Sequence, residues 1–305
     1  MAPLAAQARP SQSAAGHTHK TSRHDGPDGL GVQTALARAG FSPGELDGRL
    51  GRNAERALRS FQETHGLRPS GKPDKATRAA LAAAAPGEAT AAYRIADADV
   101  AGPFVAVLPD DMMEKAKLPA LGYTSVLEEL AERVHAQPAL LQRLNPRATW
   151  RADEDIVVPN IAPVEPASKA ARIVVSKSAS TLRALDSAGK ILFFAPVTAG
   201  SEHDPLPLGQ WKVRGVARNP TFAYNPELFW DSNADQAKAK LAAGPNNPVG
   251  VVWIDLDKEH YGLHGTAEPG KVGHAESHGC VRLTNWDAER VAAMVAPGTP
   301  VVFED

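Results

Sequence analysis

From residue 30 to about 84, apolar residues return at helical spacing. Val32, Ala35, Leu36 and Ala39 share one face, and Gly40 follows as a natural C′ residue. Ala54, Ala57, Leu58 and Phe61 make a second stripe closed by Gly66, and Asp74 can cap a third helix carrying Leu81. Pro43-Gly44 and Asp47-Gly48 mark turns between them. The pattern predicts a three-helix unit over residues 28–84. An Ala-, Gly- and Thr-rich linker follows at 85–95, then a stretch to 120 in which 104–108 reads as a strand.

Helical spacing resumes at Val126, Leu127, Leu130, Ala131 and Val134. Pro138 suits the first turn of a further helix with Leu140, Leu141 and Leu144, and 156–159 reads as a short strand. Residues 121–162 are therefore expected to form a strand-helix-helix-strand unit, followed by a linker at 163–167. From Arg172 the period changes to that of strands: 173–175, 181–185, 191–194, 210–216, 249–255 and 299–303. Ser187-Ala188-Gly189 is a hairpin turn, and one helix is expected from Asn285, as its N-cap, to Val295. The expected fold class is multidomain α+β, with a mainly β domain over 170–305. The connection 222–247, with Tyr224 and Trp230, is long and reads as a lid or substrate wall.

Composition narrows the classes. Of 305 residues, 43% are hydrophobic and 22% charged, which is ordinary for a globular protein, and 25 Pro with 25 Gly fit modules joined by turns. A net charge of −2 offers nucleic acid no electrostatic attraction. Ala6-Gln7-Ala8 has the small-x-small form that ends a secretory signal. Residues 1–27 are otherwise a polar, aperiodic lead, and an exported, monomeric protein is expected.

The single cysteine, Cys280, excludes an intramolecular disulfide and multi-thiolate metal sites. His264, His274 and His278 crowd near it. Three readings compete on the residues alone: a cysteine nucleophile with a histidine base, a zinc hydrolase, or histidines making only structural hydrogen bonds. Zinc fits poorly, because no HExxH-type spacing occurs and the segment is rich in Gly and Pro. No metal or cofactor is expected. A thiol nucleophile needs a base in reach, a group orienting that base, and oxyanion donors. The backbone N–H groups around Gly279 and Cys280 can donate, and Arg282 can grip a carboxylate.

Three resemblances carry function. Gly40-Phe41-Ser42-Pro43-Gly44, Asp47-Gly48, Gly51, Phe61-Gln62, Gly66-Leu67, Gly71, Asp74, Thr77 and Ala80-Leu81 resemble the helical type 1 peptidoglycan-binding family. The 121–162 unit, above all Leu141-Gln142-Arg143-Leu144-Asn145-Pro146, resembles a divergent LysM module, a family that binds N-acetylglucosamine chains; its first half lacks the usual Gly-Asp turn. The third covers the β domain. Gly200, Pro207-Leu208-Gly209, Asn219-Pro220, Gly244-Pro245-Asn246-Asn247-Pro248-Val249-Gly250, His264-Gly265-Thr266, Gly273 and Ser277-His278-Gly279-Cys280-Val281-Arg282-Leu283 resemble the YkuD-type L,D-transpeptidases.

That last resemblance implies Cys280 as acylated nucleophile, His264 as general base and the Gly265 carbonyl as its orienting group, with Gly279 in the oxyanion hole. Ser277, His278, Arg282, Asn247, Trp230 and Tyr224 are expected to meet substrate, whereas His274 is expected to be a solvated loop residue. The implied reaction is peptidoglycan L,D-transpeptidation. Cys280 forms a thioester with the third residue of a donor stem, the terminal D-residue leaves, and an amine of another stem or of an envelope lipoprotein takes the acyl group. Hydrolysis by the same site, as an L,D-carboxypeptidase or endopeptidase, and a non-catalytic wall-binding protein are the alternatives.

Overall fold

The computed structural model describes residues 29–161, 168–230, 232, 235–274 and 279–305. The expected polar lead at 1–27 and the linker at 163–167 lie outside the described residues. Helices α1 (Gly29–Arg38), α2 (Arg52–Thr64) and α3 (Lys75–Ala84) form the first unit where the periodicity places them. Val32, Leu36, Leu58, Phe61 and Leu81 turn inward. Gly40 takes φ +85°, the left-handed conformation that a C′ residue needs. Asp74 accepts the Thr77 N–H at 2.8 Å and so caps α3.

The helical core is completed from far down the chain. Phe194 of the β domain enters it beside Phe41, which meets Phe61 edge-on at 5.4 Å. The backbone follows: Ser42 N–H donates to Phe194 O at 2.8 Å, and Phe194 N–H donates to Gly40 O at 2.9 Å.

In the second unit β1 (Thr90–Arg94) pairs antiparallel with β2 (Asp155–Pro159). Between them lie two single turns, α4 (Asp97–Val100) and α5 (Met112–Lys115), and two helices, α6 (Val126–Arg133) and α7 (Pro138–Leu144). Of the strand-helix-helix-strand unit expected over 121–162, the two helices and the last strand are present; the strand that pairs with β2 lies at Thr90–Arg94, in the supposed linker, with α4 and α5 intervening. The expected strand at 104–108 is irregular chain; Val105 N–H donates to Tyr123 O at 2.8 Å, and Val107 is exposed. Leu46 of the first unit fills this second core, against Leu130, Leu141 and Ile156.

The third unit is built on strands β3 (Arg172–Ser176), β4 (Thr181–Leu185), β5 (Ile191–Pro196), β6 (Thr198–Ala199) and β7 (Gly209–Arg218). A separate hairpin of β8 (Phe222–Tyr224) and β9 (Ala239–Leu241) follows. Then come β10 (Val252–Leu256), β11 (Gly262–His264), β12 (Val281–Arg282), helix α8 (Asn285–Met294) and β13 (Pro300–Glu304). Nine strands join in the order β5-β4-β3-β13-β7-β10-β11-β12-β6. Ala288, Val291 and Val295 press α8 onto the sheet. Its N-cap is Thr284, whose hydroxyl accepts the Asp287 N–H at 3.2 Å, and not Asn285. That one-residue shift turns the Asn285 side chain inward. Among the described residues no helix is long and apolar enough to cross a membrane.

Candidate active site

Two short parallel strands assemble the chemistry. In β11 and β12 Leu263 pairs with Val281 and His264 with Arg282. Leu263 and Val281 are fully buried in the core. Because side chains alternate along a strand, Gly262, His264 and Arg282 share the opposite face, and Cys280 enters on that face. The Gly262 N–H donates to the sulfur, and the thiol donates to His260 O at 3.5 Å. Cys280 thus lies over a residue without a side chain, one step of about 7 Å along the strand from His264.

His264 is 4% exposed and stacks on Trp253, ring to ring at 5.4 Å. Its Nδ1 lies 2.6 Å from Gly265 O. A carbonyl only accepts, so Nδ1 carries the proton and Nε2 keeps its lone pair. Burial pushes the imidazole pKa down to about 3, aided by the Arg282 charge and opposed by the Gly265 carbonyl. Burial likewise raises the Cys280 thiol above its ordinary value; the Gly262 N–H and Arg282 oppose this, and Asp204 adds to it. The resting groups are therefore a thiol and a neutral imidazole. Proximity of an imidazole does not by itself yield a thiolate here, because desolvation disfavours both charged forms.

The loop after His264 is held by Asn285, only 2% exposed. Its Oδ1 accepts the N–H groups of Thr266 at 3.1 Å and Val251 at 3.2 Å. A Cβ on Gly265 would come within 2.1 Å of that oxygen, so only glycine admits the contact. The Asn285 amide nitrogen donates to Glu132 Oε1 of α6 at 2.7 Å and to Pro245 O at 3.1 Å. Burial raises the Glu132 carboxyl to about 7, against the Asn285 hydrogen bond and with Glu128, Glu289 and Glu45 adding to the rise.

The chain leading to the cysteine is held by the first unit. Asn53 donates to Val272 O at 2.8 Å and Arg56 to Gly273 O at 3.0 Å, both from α2. Gly279 has φ +91°, and a Cβ there would stand 2.9 Å from the Tyr261 ring.

The remaining expected site residues divide. Arg282 is half-buried beside His264. Ser277 and His278 lie outside the described residues. Asn247 is wholly buried; its amide donates to Ala242 O at 2.7 Å and accepts Val249 N–H at 2.9 Å, so it braces its own loop instead of facing substrate. Tyr224 is also a core residue, packed with Leu121 and Leu241 and donating its hydroxyl to Gln236. Trp230 is 57% exposed and stacks on His203 at 4.4 Å. His274 is exposed, as expected. Trp253, Tyr261 and Asn285 were not legible as site residues. Their signals are tertiary: ring stacking, a glycine contact and a buried amide.

Residues 170–303 match the family model described as the L,D-transpeptidase catalytic domain (YkuD), and residues 26–81 match a putative peptidoglycan binding domain. The putative L,D-transpeptidase YkuD of Bacillus subtilis is 29% identical over 179 residues, covering 58% of this chain and 92% of that protein. The probable L,D-transpeptidase YbiS of Escherichia coli is 28% identical over 137 residues, 44% of each chain. Among solved structures, an L,D-transpeptidase from Mycobacterium smegmatis aligns with TM-score 0.35 and 20% identity, covering 44% of this chain and 58% of that one.

Proposed function

With residues 170–303 an L,D-transpeptidase catalytic domain and residues 26–81 a peptidoglycan-binding domain, we propose that the protein cross-links or decorates peptidoglycan outside the cytoplasm through a Cys280 thioester. The observation that supports this reading best is the β11–β12 register, which pairs His264 with Arg282 two residues after Cys280, together with the Nδ1 contact to Gly265 O that leaves Nε2 its lone pair.

In the first step the Cys280 sulfur attacks the carbonyl at the L-centre of the third residue of a donor stem. The S–C bond forms as His264 Nε2 takes the thiol proton. The backbone N–H groups of Gly279 and Cys280 receive the developing oxyanion, and Arg282 holds a substrate carboxylate. The C–N bond then breaks, and the departing D-residue's amine takes the proton back from His264. In the second step an acceptor amine attacks the thioester, loses its proton to His264, and the thiol returns. The exposed Trp230 stacked on His203 forms part of the wall along which the stem lies. The first unit, and the second with its LysM-like order, keep the enzyme on glycan strands.

Incubation with tetrapeptide muropeptides, with and without excess acceptor amine, tests this by mass spectrometry. The expected result is an acyl-enzyme at Cys280, loss of the terminal D-residue, and a cross-linked product that disappears with Cys280→Ala. Release of tripeptide alone, even with acceptor in excess, would assign hydrolysis instead. Unchanged products from Cys280→Ala would remove the catalytic reading.

A further inference from the structure

Glu132 belongs to α6, in the second unit, and lies outside the residues that match the catalytic domain. Leu130 and Ala131, both buried in the second unit's core, fix that turn of the helix. From there the Glu132 carboxyl reaches the third unit and accepts from Asn285 at 2.7 Å. Asn285 in turn holds Thr266, the residue after Gly265, whose carbonyl sets the His264 tautomer. We propose that Glu132 is a positioning residue of the active site, fixing the His264-Gly265-Thr266 loop through the Asn285 amide. This rests on the reading of His264 as the general base.

The argument is one of donors and acceptors. An asparagine amide fits a buried site in two orientations that differ by exchange of O and NH2. Here one side of the amide faces two N–H groups, from Thr266 and Val251, which only an oxygen satisfies. The other side faces Glu132 and the Pro245 carbonyl, which accept. Pro245 alone supplies one acceptor for two amide hydrogens. Glu132 supplies the second, so that the flipped orientation would set NH2 against two donors and oxygen against a carboxyl. Without Glu132 an amide hydrogen is left buried and unpaired, and the restraint on the loop weakens. A shift well under 1 Å in Gly265 O is enough to disturb a 2.6 Å bond to the imidazole. The catalytic domain thereby takes one of its supports from a neighbouring unit.

The test uses the full chain with Glu132→Met, which keeps the volume and removes the acceptor, and Glu132→Gln, whose carbonyl oxygen still accepts. Each is checked for thermal unfolding. Two readouts follow: kcat and KM with a tetrapeptide donor, and the rate of Cys280 alkylation by iodoacetamide against pH. Near neutrality alkylation draws on the imidazole as proton acceptor, whereas in strong alkali it draws on thiolate already formed. Glu132→Met should lower kcat and the pH 7 alkylation rate about tenfold. It should leave KM and the alkaline limit as in wild type, and Glu132→Gln should restore most of the loss. The proposal is overturned if Glu132→Met matches wild type, if Glu132→Gln is equally impaired, or if the loss appears at the alkaline limit too. Should wild type turn over no tetrapeptide, the alkylation series decides alone: a neutral-pH loss restored by glutamine upholds the positioning role while the transpeptidase reading falls.

Discussion

The uncharged state of Cys280 and His264 has a measurable consequence. Burial holds the Cys280 thiol above the ordinary thiol range, so at pH 7 it keeps its proton. An imidazole at about 3 is protonated in roughly one molecule in ten thousand at pH 7. Moving the proton from sulfur to Nε2 before substrate binds is therefore uphill, because burial disfavours its loss from the thiol and its gain by the imidazole alike. A resting thiolate–imidazolium pair is accordingly a minor species. The proton must then move as the sulfur attacks, not before.

Thiolate absorbance in the far ultraviolet reads this directly. The perturbation is pH, with Cys280→Ser as the blank that removes tyrosine and backbone signals. The difference spectrum should stay flat from pH 5 to pH 8 and show one step in alkali, with its midpoint above that of an ordinary thiol. Histidine resonances should place His264 as neutral throughout that range. A thiolate step with its midpoint below about 7, accompanied by a protonated His264, would refute the reasoning and make the pair pre-ionised.

Two further outcomes follow from the seams between units. Phe194→Ala removes a 3% exposed ring from the helical core, at a cost of about 3–5 kcal/mol, and should split urea unfolding so that the helices melt before the sheet; a loss under about 1 kcal/mol with one transition would show that the helices hold without it. Asp287, hydrogen-bonded by Ser42 of the first unit at 2.9 Å, is raised by burial to about 7, with Thr284, Ser42 and Arg290 pulling it down. Its folded pKa exceeds its unfolded one, so its contribution is complete below about pH 4 and is lost as pH rises through about 7. Asp287→Asn should therefore stabilise the chain at pH 8, by up to about 4 kcal/mol, and much less at pH 5. An equal change in melting temperature at the two pH values would contradict this.

Much of the fold could be read along the chain. The β-branched run Ile173-Val174-Val175, the Gly189 turn and the stripes ending at Gly40 and Gly66 each act locally, and the structure keeps them. Strand β1 is not legible in the sequence because Thr90–Arg94 is half exposed and carries two alanines, so it shows no apolar alternation. Asn285 reads as a cap because it opens a helix; Thr284 caps instead, while the Asn285 amide is taken up by Val251, Thr266, Glu132 and Pro245, partners distant in sequence. Asn247 and Tyr224 sit in motif or lid segments, but they spend their polar atoms within those segments. The pairing of Cys280 with His264 came from family likeness. Its physical cause, two parallel strands in register, joins residues sixteen apart through a connection that no periodicity describes.

The backbone bridge between Phe41 and Phe194 bears on how this protein can be handled in pieces. Strand β5 ends the nine-stranded sheet, and the first unit occupies its outer side with two hydrogen bonds and an aromatic contact. A fragment cut at residue 170 would leave that edge bare, with Ile191 and Phe194 facing water and backbone N–H and C=O groups unpaired. Such an edge templates pairing with another copy. At the opposite end β6 has only two residues, too short to serve as a template. A fragment of the third unit is therefore expected to self-associate through β5 alone, giving pairs rather than filaments, whereas in the full chain the first unit covers that edge.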